Sequence, residues 1–264
     1  MFKINRKEKI LELIEKEKNM TISQLNKSFG ISSATIHRDL DELEREGRVK
    51  KVYGGVVLNI PETPEEKSSI RLNTNIELKE AIALKALEFV KGGDFIFIDN
   101  STTCYYFAKV ISKSNLRNIT IITNSNLVAS LFINNNLINV ICTGGVFLKD
   151  LNCFAGLKAI DLIDEFKASK FFFSVAAVSI NEELSDLYIS SILAMNDNWS
   201  IKKEMFLRSE EKICLIDSTK FYKIGHRKLF RLSEIDKIIT DYNCEKEKIK
   251  EFHDVGIELI IASR

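Results

Sequence analysis

Residues 21–55 constrain the fold more than any other part of this 264-residue chain. Thr21 is a residue type that caps the amino ends of helices, and Leu25 and Phe29 follow it on one helical face. Gly30 then permits the left-handed conformation in which helices commonly end. This order predicts a short helix that stops at a sharp turn.

Two more helices are predicted around that turn. One covers about residues 6–18, and the other begins after Ser32, which can cap it. Each has an apolar stripe at helical spacing, so the three helices can close one small core. The inner residues are Ile10, Leu13 and Ile14 in the first helix and Ile36, Leu40 and Leu43 in the last.

The amino end of the last helix has a polar outer face, which is where a recognition helix meets the major groove of DNA. Hydroxyl, imidazole and guanidinium groups can bond base edges or phosphates. The alternative is a plain helical hairpin with solvated charges, in which Arg38 pairs with Asp41 or Glu42. The candidate DNA contacts on the helices are Thr21, Ser32, Ser33, Thr35, His37 and Arg38.

A cationic segment follows at residues 48–53, in a strand pair too short to be a domain. Such a hairpin, or wing, can lie on the phosphate backbone. Its candidate DNA contacts are Arg48, Lys50, Lys51 and Tyr53.

The only two prolines, Pro61 and Pro64, lie in a polar stretch that predicts a linker. We therefore expect a DNA-binding domain at residues 1–57, a linker at 58–70 and a second domain at 71–264. Residues 1–60 contain 12 Lys and Arg against 9 Asp and Glu, whereas the remainder contains 26 against 28. A mildly basic head on a near-neutral body indicates a local DNA contact.

Short apolar strands alternate with helical segments after the linker, which predicts an α/β domain with a largely parallel sheet covered on both faces. Predicted helices cover residues 77–90, 103–112 and 127–133. The predicted strands are residues 94–99, 119–123, 139–143, 171–175, 212–217, 237–240 and 257–261.

Polar or glycine-rich residues follow four of these strands, where ligands of parallel sheets bind. Hydroxyls and free backbone N–H groups at a helix amino end form an anion site. A lysine in the turn after residue 217 could neutralise a phosphate. We therefore expect a small phosphorylated effector at this edge, bound by Asp99, Ser101, Thr102, Thr103, Asn124, Ser125, Gly144, Gly145 and Lys220.

The five cysteines form no Cys-x-x-Cys pair and have no histidine cluster beside them, so we expect reduced, buried thiols and neither a metal nor a cofactor. Residues 1–14 carry charges in place of the apolar stretch of a signal peptide, and no apolar run approaches a membrane span. A cytoplasmic protein is expected.

Residues 31–47 and the sequence Val-Tyr-Gly-Gly at 52–55 resemble the winged helix-turn-helix of the DeoR family of bacterial transcription regulators. That family usually has Thr-Ile-Arg-Arg-Asp-Leu, and this chain has His37 in place of the first arginine. The resemblance implies sequence-specific binding to duplex DNA.

The body resembles the DeoR-type sensor domain, which is similar in fold to ribose-5-phosphate isomerase and usually binds sugar phosphates. The matching segments are 99–103, 123–125, 144–145, Gly156, 217–221 and 240–241, and Lys202 matches a lysine of the family's helix. This chain departs from the pattern at Ala176–Ala177 and Glu183, where the family has glycines, and at residues 185–198, which are longer than usual.

The resemblance implies a repressor of a sugar-metabolism operon, controlled by a phosphorylated sugar and not an enzyme. One helix-turn-helix reads only a half-site, so a homo-oligomer, dimer or tetramer, is expected. Two alternatives remain open: an isomerase-like enzyme that carries a DNA-binding head, and a regulator whose second domain no longer senses a ligand.

Overall fold

A computed structural model describes residues 6–7, 9–11, 13–14, 19–45, 49–52, 55–58, 68–179, 183–186, 192–221 and 227–264. The chain divides into two compact units, Met1–Thr63 and Pro64–Arg264.

The amino-terminal unit combines helices with a three-stranded antiparallel sheet of order β1-β3-β2. The described residues between 6 and 14 are helical, as predicted. The strand β1, which was not predicted, pairs with β3 and so widens the expected hairpin. The further elements are β1 (Asn19–Thr21), α1 (Ile22–Phe29), α2 (Ser33–Arg45), β2 (Val49–Val52) and β3 (Gly55–Leu58).

Local chemistry fixes both ends of α1. Thr21 and Gln24 form a capping box, in which the Gln24 N–H donates to the Thr21 hydroxyl and the Thr21 N–H donates to the Gln24 side chain. Gly30 ends the helix at φ 63°, in the left-handed region. Ser32 then accepts from the Thr35 N–H at 3.4 Å. The predicted caps and turn are confirmed.

The predicted apolar stripes form the core of this unit. Leu13 and Phe29 pack at its margin and are only partly buried. Beside it, the Arg6 guanidinium donates to both carboxylate oxygens of the buried Asp39, at 2.6 and 2.9 Å. The buried core includes Ile10, Ile14, Leu25, Ile36, Leu40 and Leu43.

The second unit is built on a seven-stranded sheet of order β15-β14-β12-β9-β4-β5-β6, in which every pairing is parallel. The predicted strands all lie in this sheet, with ends shifted by up to three residues. Its strands are β4 (Phe95–Ile98), β5 (Ile119–Thr123), β6 (Ile138–Cys142), β9 (Ala168–Phe173), β12 (Ser209–Leu215), β14 (Lys237–Thr240) and β15 (Glu258–Ile261).

Alternate residues of the central strands supply two separate cores. Phe97, Phe171 and Phe173 belong to one, whereas Ile98 and Phe172 belong to the other. Successive side chains of a strand point to opposite faces, so near-continuous apolar strands are what a sheet covered on both faces needs.

Helices and small sheets surround the large sheet. Residues 68–70, which the composition placed in the linker, are helical and belong to α3. Further β strands are β7 (Val146–Leu148), β8 (Cys153–Ala155), β10 (Ala177–Ser179), β11 (Glu183–Asp186) and β13 (Arg227–Arg231). The helices are α3 (Ser68–Leu72), α4 (Ile76–Leu87), α5 (Thr102–Lys113), α6 (Asn126–Ser130), α7 (Leu157–Asp164), α8 (Ile192–Leu207) and α9 (Lys246–Asp254).

Strand order places a topological switch point between β4 and β9. From β4 the chain proceeds to β5 and β6 on one side, and then returns to place β9 on the other side of β4. Ligands of open parallel sheets bind at such a point, beyond the carboxyl ends of the strands.

Two findings bear on the expectations about buried cysteines and about membrane spans. Four cysteines are buried, but Cys142 is exposed at the end of the edge strand β6, so the prediction of buried thiols was wrong for it. Within the described parts of the chain, no helix combines the length and apolar character needed to cross a bilayer.

Candidate functional site

The outer face of α2 presents the predicted polar side chains to solvent. Ser33, His37 and Arg38 are exposed and Thr35 is partly exposed, while Ile36 lies buried on the opposite face. Among the residues that the structure describes, no carboxylate pairs with Arg38. Its guanidinium is therefore available for a base or a phosphate.

The hydroxyl groups near α2 are already organised by local bonds. Ser32 and Thr35 share a hydrogen bond of 3.1 Å, and the Asn26 amide donates to Ser33 at 2.6 Å. The Thr21 hydroxyl belongs to the capping box of α1. These contacts fix the rotamers of side chains that could face DNA.

The cationic hairpin is held against α2 at Lys51. Its ammonium pairs with Asp41, and its N–H donates to Glu44 at 2.7 Å. The hydrogen bond to Asp41 raises the pKa of Lys51. Arg48, Tyr53 and the side chain of Lys50 lie outside the described residues.

The switch point of the large sheet gathers two carboxyl-end residues, Asp99 after β4 and Ser174 after β9. The Asp99 carboxylate accepts from the Ser101 N–H at 2.9 Å and from the Ser174 N–H at 3.1 Å. Lys202 of α8 lies 3.5 Å from the same carboxylate and donates to the Ser174 carbonyl at 2.8 Å. The side chains of Asp99, Ser174 and Lys202 are buried, so Asp99 and Lys202 compensate each other's charge.

Lys220 brings a second ammonium to this point from the turn after β12. It lies 3.4 Å from the Ser174 hydroxyl and 3.8 Å from the Asp217 carboxylate. Its side chain is 22% exposed, against 7% for Lys202, so it is the more accessible cation. Asp241 fixes the turn by accepting from the Ser218 N–H at 2.6 Å.

The amino end of α5 opens directly from Asp99. Ser101 caps the helix by accepting from the Cys104 N–H at 3.2 Å, and Thr102 and Thr103 occupy the first turn. The first N–H groups of a helix have no partner within it, so this turn can bind an anion. Burial, together with the Asp99 carboxylate, raises the pKa of the Cys104 thiol, which keeps it neutral.

Asn124 and Ser125 follow the neighbouring strand β5 and bond chiefly to protein. Ser125 caps α6 through the Val128 N–H at 3.2 Å, and the Asn124 amide donates to the Phe154 carbonyl at 3.1 Å. They hold β8 beside the sheet edge.

Gly144 and Gly145 follow β6 with φ of 62° and 107°, in the region that favours glycine. A Cβ on Gly145 would overlap the carbonyl oxygen of Ala155. Gly145 is therefore required by the close approach of the β8 backbone.

Three buried oxygens along this edge have no hydrogen-bond partner among the described residues: Thr103 Oγ1, Asn124 Oδ1 and Thr240 Oγ1. Buried polar atoms are nearly always bonded to protein, water or ligand. Their positions at the carboxyl ends of strands and at the start of α5 mark the edge as a place where further polar groups bind.

Two residues of this region were missed by the sequence analysis. Ser174 is the polar residue that ends a phenylalanine-rich strand, the same signal that identified Asp99. Lys79 lies three, four and seven residues before the buried Ile82, Ala83 and Ala86, so its position on the inner face of α4 was readable from helical spacing.

A cavity of about 590 Å³ lies between the start of α4 and the residues that follow β14. One wall is formed by Asn73 and residues 75–78, and the other by Tyr242, Asn243 and Arg264. Asp241, which holds the Ser218 N–H, also accepts from the Asn243 N–H at 2.9 Å and so joins this wall to the turn.

Known domain families match both units of the chain. The DeoR-like helix-turn-helix domain matches residues 6–62, and the DeoR C-terminal sensor domain matches residues 74–242. The chain belongs to the DeoR family of transcriptional regulators. A DNA-binding head and a sensor domain are therefore established for it, as the sequence predicted.

Relatives in the DeoR family match over almost their whole length. The regulator GolR of Listeria innocua is 31% identical over 99% of this chain and all of its own. The lactose phosphotransferase system repressor of Lactococcus lactis is 31% identical over 96% of both chains. The L-fucose operon activator of Haemophilus influenzae is 30% identical over 95% of this chain and 97% of its own.

Solved structures match the DeoR-family chain less closely. Ribose 5-phosphate isomerase A from Neisseria gonorrhoeae is 18% identical, with a TM-score of 0.41 over 58% of this chain. The chain spans about half the length of such structures, 55% in this case.

Proposed function

We propose that this DeoR-family chain represses a sugar-metabolism operon and that a phosphorylated sugar, bound at the switch point of the sensor sheet, controls its affinity for the operator. The observation that carries the proposal is the partly exposed Lys220 ammonium, 3.4 Å from the Ser174 hydroxyl at the strand ends where α5 begins, beside the buried pair Asp99–Lys202. A cation and free backbone donors suit a phosphate.

Lys220 and Lys202 would have different roles, because they differ in exposure. Lys220 is partly exposed and would contact the phosphate. Lys202 is buried between Asp99 and the Ser174 carbonyl, so it would fix the ends of β4 and β9 from behind. The hydroxyl groups of Thr103 and Thr240, which have no partner among the described residues, would form hydrogen bonds to ligand or to ordered water.

The DNA-binding part of the proposal relies on α2. Arg38 and His37 would contact base edges while Ser33 and Thr35 contact bases or phosphates. Because a single head reads one half-site, the regulator would bind its operator as a homo-oligomer. Light scattering should then give a mass of at least twice 30.2 kDa.

Two relatives support control of a sugar operon, and one of them supports repression. One is named a repressor of a lactose phosphotransferase system, and another an activator of an L-fucose operon. A ligand changes operator affinity only by its differential affinity for the DNA-bound and DNA-free arrangements.

The test is fluorescence anisotropy with labelled DNA from upstream of the chain's own gene, at fixed salt. D-ribose 5-phosphate, D-fructose 6-phosphate, D-galactose 6-phosphate and their unphosphorylated sugars would be added in turn. We expect at least one phosphate to change the operator Kd about 5–150-fold, the usual range of coupling, while its parent sugar has no effect. Absence of DNA binding at low salt would overturn the proposal.

Lys220→Met should abolish the response to the active sugar phosphate while DNA affinity without it stays unchanged. Lys246→Met, on the exposed side of α9, removes the same charge elsewhere and should leave the response intact. Equal effects of the two variants would show that general charge, and not the switch point, is responsible.

We further propose that the chain has no isomerase activity. A carboxylate that acts as a base must reach a substrate proton, and Asp99 already accepts two backbone N–H groups and faces Lys202. Conversion of D-ribose 5-phosphate to its ketose at high protein concentration would contradict this.

A further inference from the structure

The first described segment of the sensor, residues 68–74, is tied to the rest of the unit by hydrogen bonds. The Asn152 amide donates to the hydroxyl of the buried Ser68 at 2.7 Å, and the Tyr106 hydroxyl donates to the Leu72 carbonyl at 3.1 Å. Ser68 follows closely, in sequence, the boundary between the two units. The bond to Asn152 therefore holds the chain at the point where the sequence of the head passes into that of the sensor.

The far end of the same segment is held by Lys79. Its ammonium donates to the Arg71 carbonyl and, at 2.6 Å, to the Thr74 carbonyl, and burial lowers its pKa to about 8. These contacts are local in sequence, whereas the bond between Asn152 and Ser68 joins residues 84 positions apart. The Ser68 end is thus the one that reports on a distant part of the sensor.

Asn152 places that bond under the control of β8. It immediately precedes the strand, with φ of 50°, and its backbone carbonyl accepts from the Asn126 N–H at 3.1 Å. Its side chain is therefore fixed to a backbone that is itself bonded to the residues after β5. A shift of β8 would move the amide that holds Ser68.

β8 is in turn bonded to Asn124. The Phe154 N–H donates to the Asn124 carbonyl at 2.7 Å, and the Asn124 amide donates to the Phe154 carbonyl at 3.1 Å. Ser125 and Cys153 form an antiparallel bridge beside them. One three-residue strand thus lies between Asn124 and the amide of Asn152.

Asn124 also belongs to the edge at which the effector is proposed to bind. It is buried, and its Oδ1 has no partner among the described residues. It follows β5 at the level at which Asp99 follows β4, because Ile98 and Thr123 are paired. Neighbouring strands lie about 4.8 Å apart, so two spacings, on the order of 10 Å, separate Asn124 from the end of β9, beside which Lys220 lies. A sugar phosphate held at Lys220 is long enough for a hydroxyl to reach Asn124.

We propose that Asn152 is a positioning residue that transmits occupation of the effector site to residues 68–74, because a sugar hydroxyl bonded to Asn124 fixes β8, and β8 fixes the amide that holds Ser68. The inference rests on the proposed function, since it takes a phosphorylated sugar to bind at this edge. Hydrogen bonds in a chain strengthen one another, so the bound sugar favours the arrangement in which Ser68 is held. The effector must then supply a hydroxyl donor as well as a phosphate.

Asn152→Gly tests the transmission with little disturbance of the backbone, because glycine adopts φ of 50° readily. The probe is whichever of D-ribose 5-phosphate, D-fructose 6-phosphate and D-galactose 6-phosphate changes the operator Kd of the natural chain. In Asn152→Gly that change should fall below about 2-fold, while the Kd for the sugar phosphate and the Kd for the operator alone stay unchanged. Asn118→Gly makes the same substitution at φ 58° and should keep the full response.

Ser68→Ala removes the same hydrogen bond from its other end and should lose the response as Asn152→Gly does. Ser69→Ala, at the exposed neighbouring position, is its control and should respond like the natural chain. A full response in both Asn152→Gly and Ser68→Ala would overturn the inference. Loss of sugar-phosphate binding in both would do so too, because the bond would then serve the site itself.

Hydrogen–deuterium exchange on the full chain provides an arm that needs no ligand. Coupling is reciprocal, so releasing Ser68 must loosen β8. Ser68→Ala should speed exchange several-fold at the Phe154 and Asn126 N–H groups, which join β8 to the end of β5, whereas Ser69→Ala should leave it unchanged. Unchanged exchange in Ser68→Ala would refute the connection. If no sugar phosphate acts on the natural chain, the proposed function fails, and this arm still decides whether Ser68 and β8 are coupled.

Discussion

The recognition helix and the switch point handle polar side chains in opposite ways. On α2, His37 and Arg38 lie exposed on one face. At the sheet edge, Asp99 and Lys202 are buried and satisfied by each other and by backbone groups. The first arrangement leaves side chains exposed for a partner, whereas the second uses its charged groups to bond to each other and to the backbone at the strand ends.

In the head, the side chains that contact DNA differ from those that stabilise the fold. In the sensor, the same buried side chains serve both function and stability. An exposed side chain that contacts only DNA can be removed with little effect on folding. A buried charge cannot, because its partner is then left unpaired in a medium of low dielectric constant. Substitutions in the two regions should therefore differ in which property they change.

The largest effect is expected for Asp99→Ala. It removes the carboxylate that faces the buried Lys202 ammonium and the acceptor of two backbone N–H groups, which should lower the free energy of unfolding of the sensor by about 3–5 kcal/mol. Fluorescence of Trp199, the single tryptophan and a buried one, would follow sensor unfolding in urea. The partly exposed pair Glu80–Lys109 provides the control, since Glu80→Ala should cost below about 1 kcal/mol. Similar costs would erase the contrast between buried and exposed pairs.

Two glycine substitutions, one in each region, should have the next largest effects. Gly145→Ala should destabilise the sensor by about 2–4 kcal/mol, because its φ of 107° is unfavourable and the new methyl overlaps the Ala155 carbonyl. Gly30→Ala in the head meets no atom within 4 Å at φ 63° and should cost about 1 kcal/mol for the conformation alone. Urea unfolding followed by circular dichroism and by Trp199 would compare them; a larger loss for Gly30→Ala would refute the steric argument.

Arg38→Ala should act on binding alone. Loss of a base or phosphate contact should weaken operator binding by about 1–3 kcal/mol, roughly 5- to 150-fold in Kd. The free energy of unfolding should stay within about 0.5 kcal/mol, since Arg38 is exposed. Lys246→Ala removes an equal charge from the sensor surface and should leave the Kd unchanged. A loss of stability in Arg38→Ala would mean that this face of α2 serves the fold.

The smallest effect concerns the pH dependence of stability through Lys79. The unfolded chain keeps this proton up to about pH 10.5, while the folded chain releases it near pH 8. Between these values the unfolded state binds more protons, so the contribution of Lys79 to stability rises with pH. Relative to Lys79→Met, the natural chain should gain about 1–2 kcal/mol from pH 7.5 to 9.5. A flat difference across this range would show that Lys79 keeps an ordinary pKa.

Much of the fold could be predicted because its periodicities are simple. Ile36, Leu40 and Leu43 repeat at helical spacing, and the strand at residues 119–123 was predicted with the bounds that the structure gives it. Thr21 and Gly30 act within a few residues of themselves, so their roles needed no tertiary information.

The hydrogen bonds and ion pairs of the sensor site could not be predicted, because they depend on the order of the strands in the sheet. Ser174 meets Asp99 only because β9 pairs with β4, across 75 positions of sequence. Lys202 was identified through a family resemblance, and nothing in its own helix indicates that it faces Asp99. Lys51 shows the same limit in the head, since its ion pair with Asp41 joins a strand to a helix.

The place of β9 in the sheet also governs the order in which the protein can fold during translation. Strand β4 lies between β5 and β9, so it lacks one neighbour until the ribosome has passed residue 173. The contacts of the head are short in sequence and can be complete long before then. A nascent chain that stalls after the head has folded and before residue 173 would have a folded DNA-binding domain and an incompletely folded sensor. Such a regulator would have no means of receiving its signal.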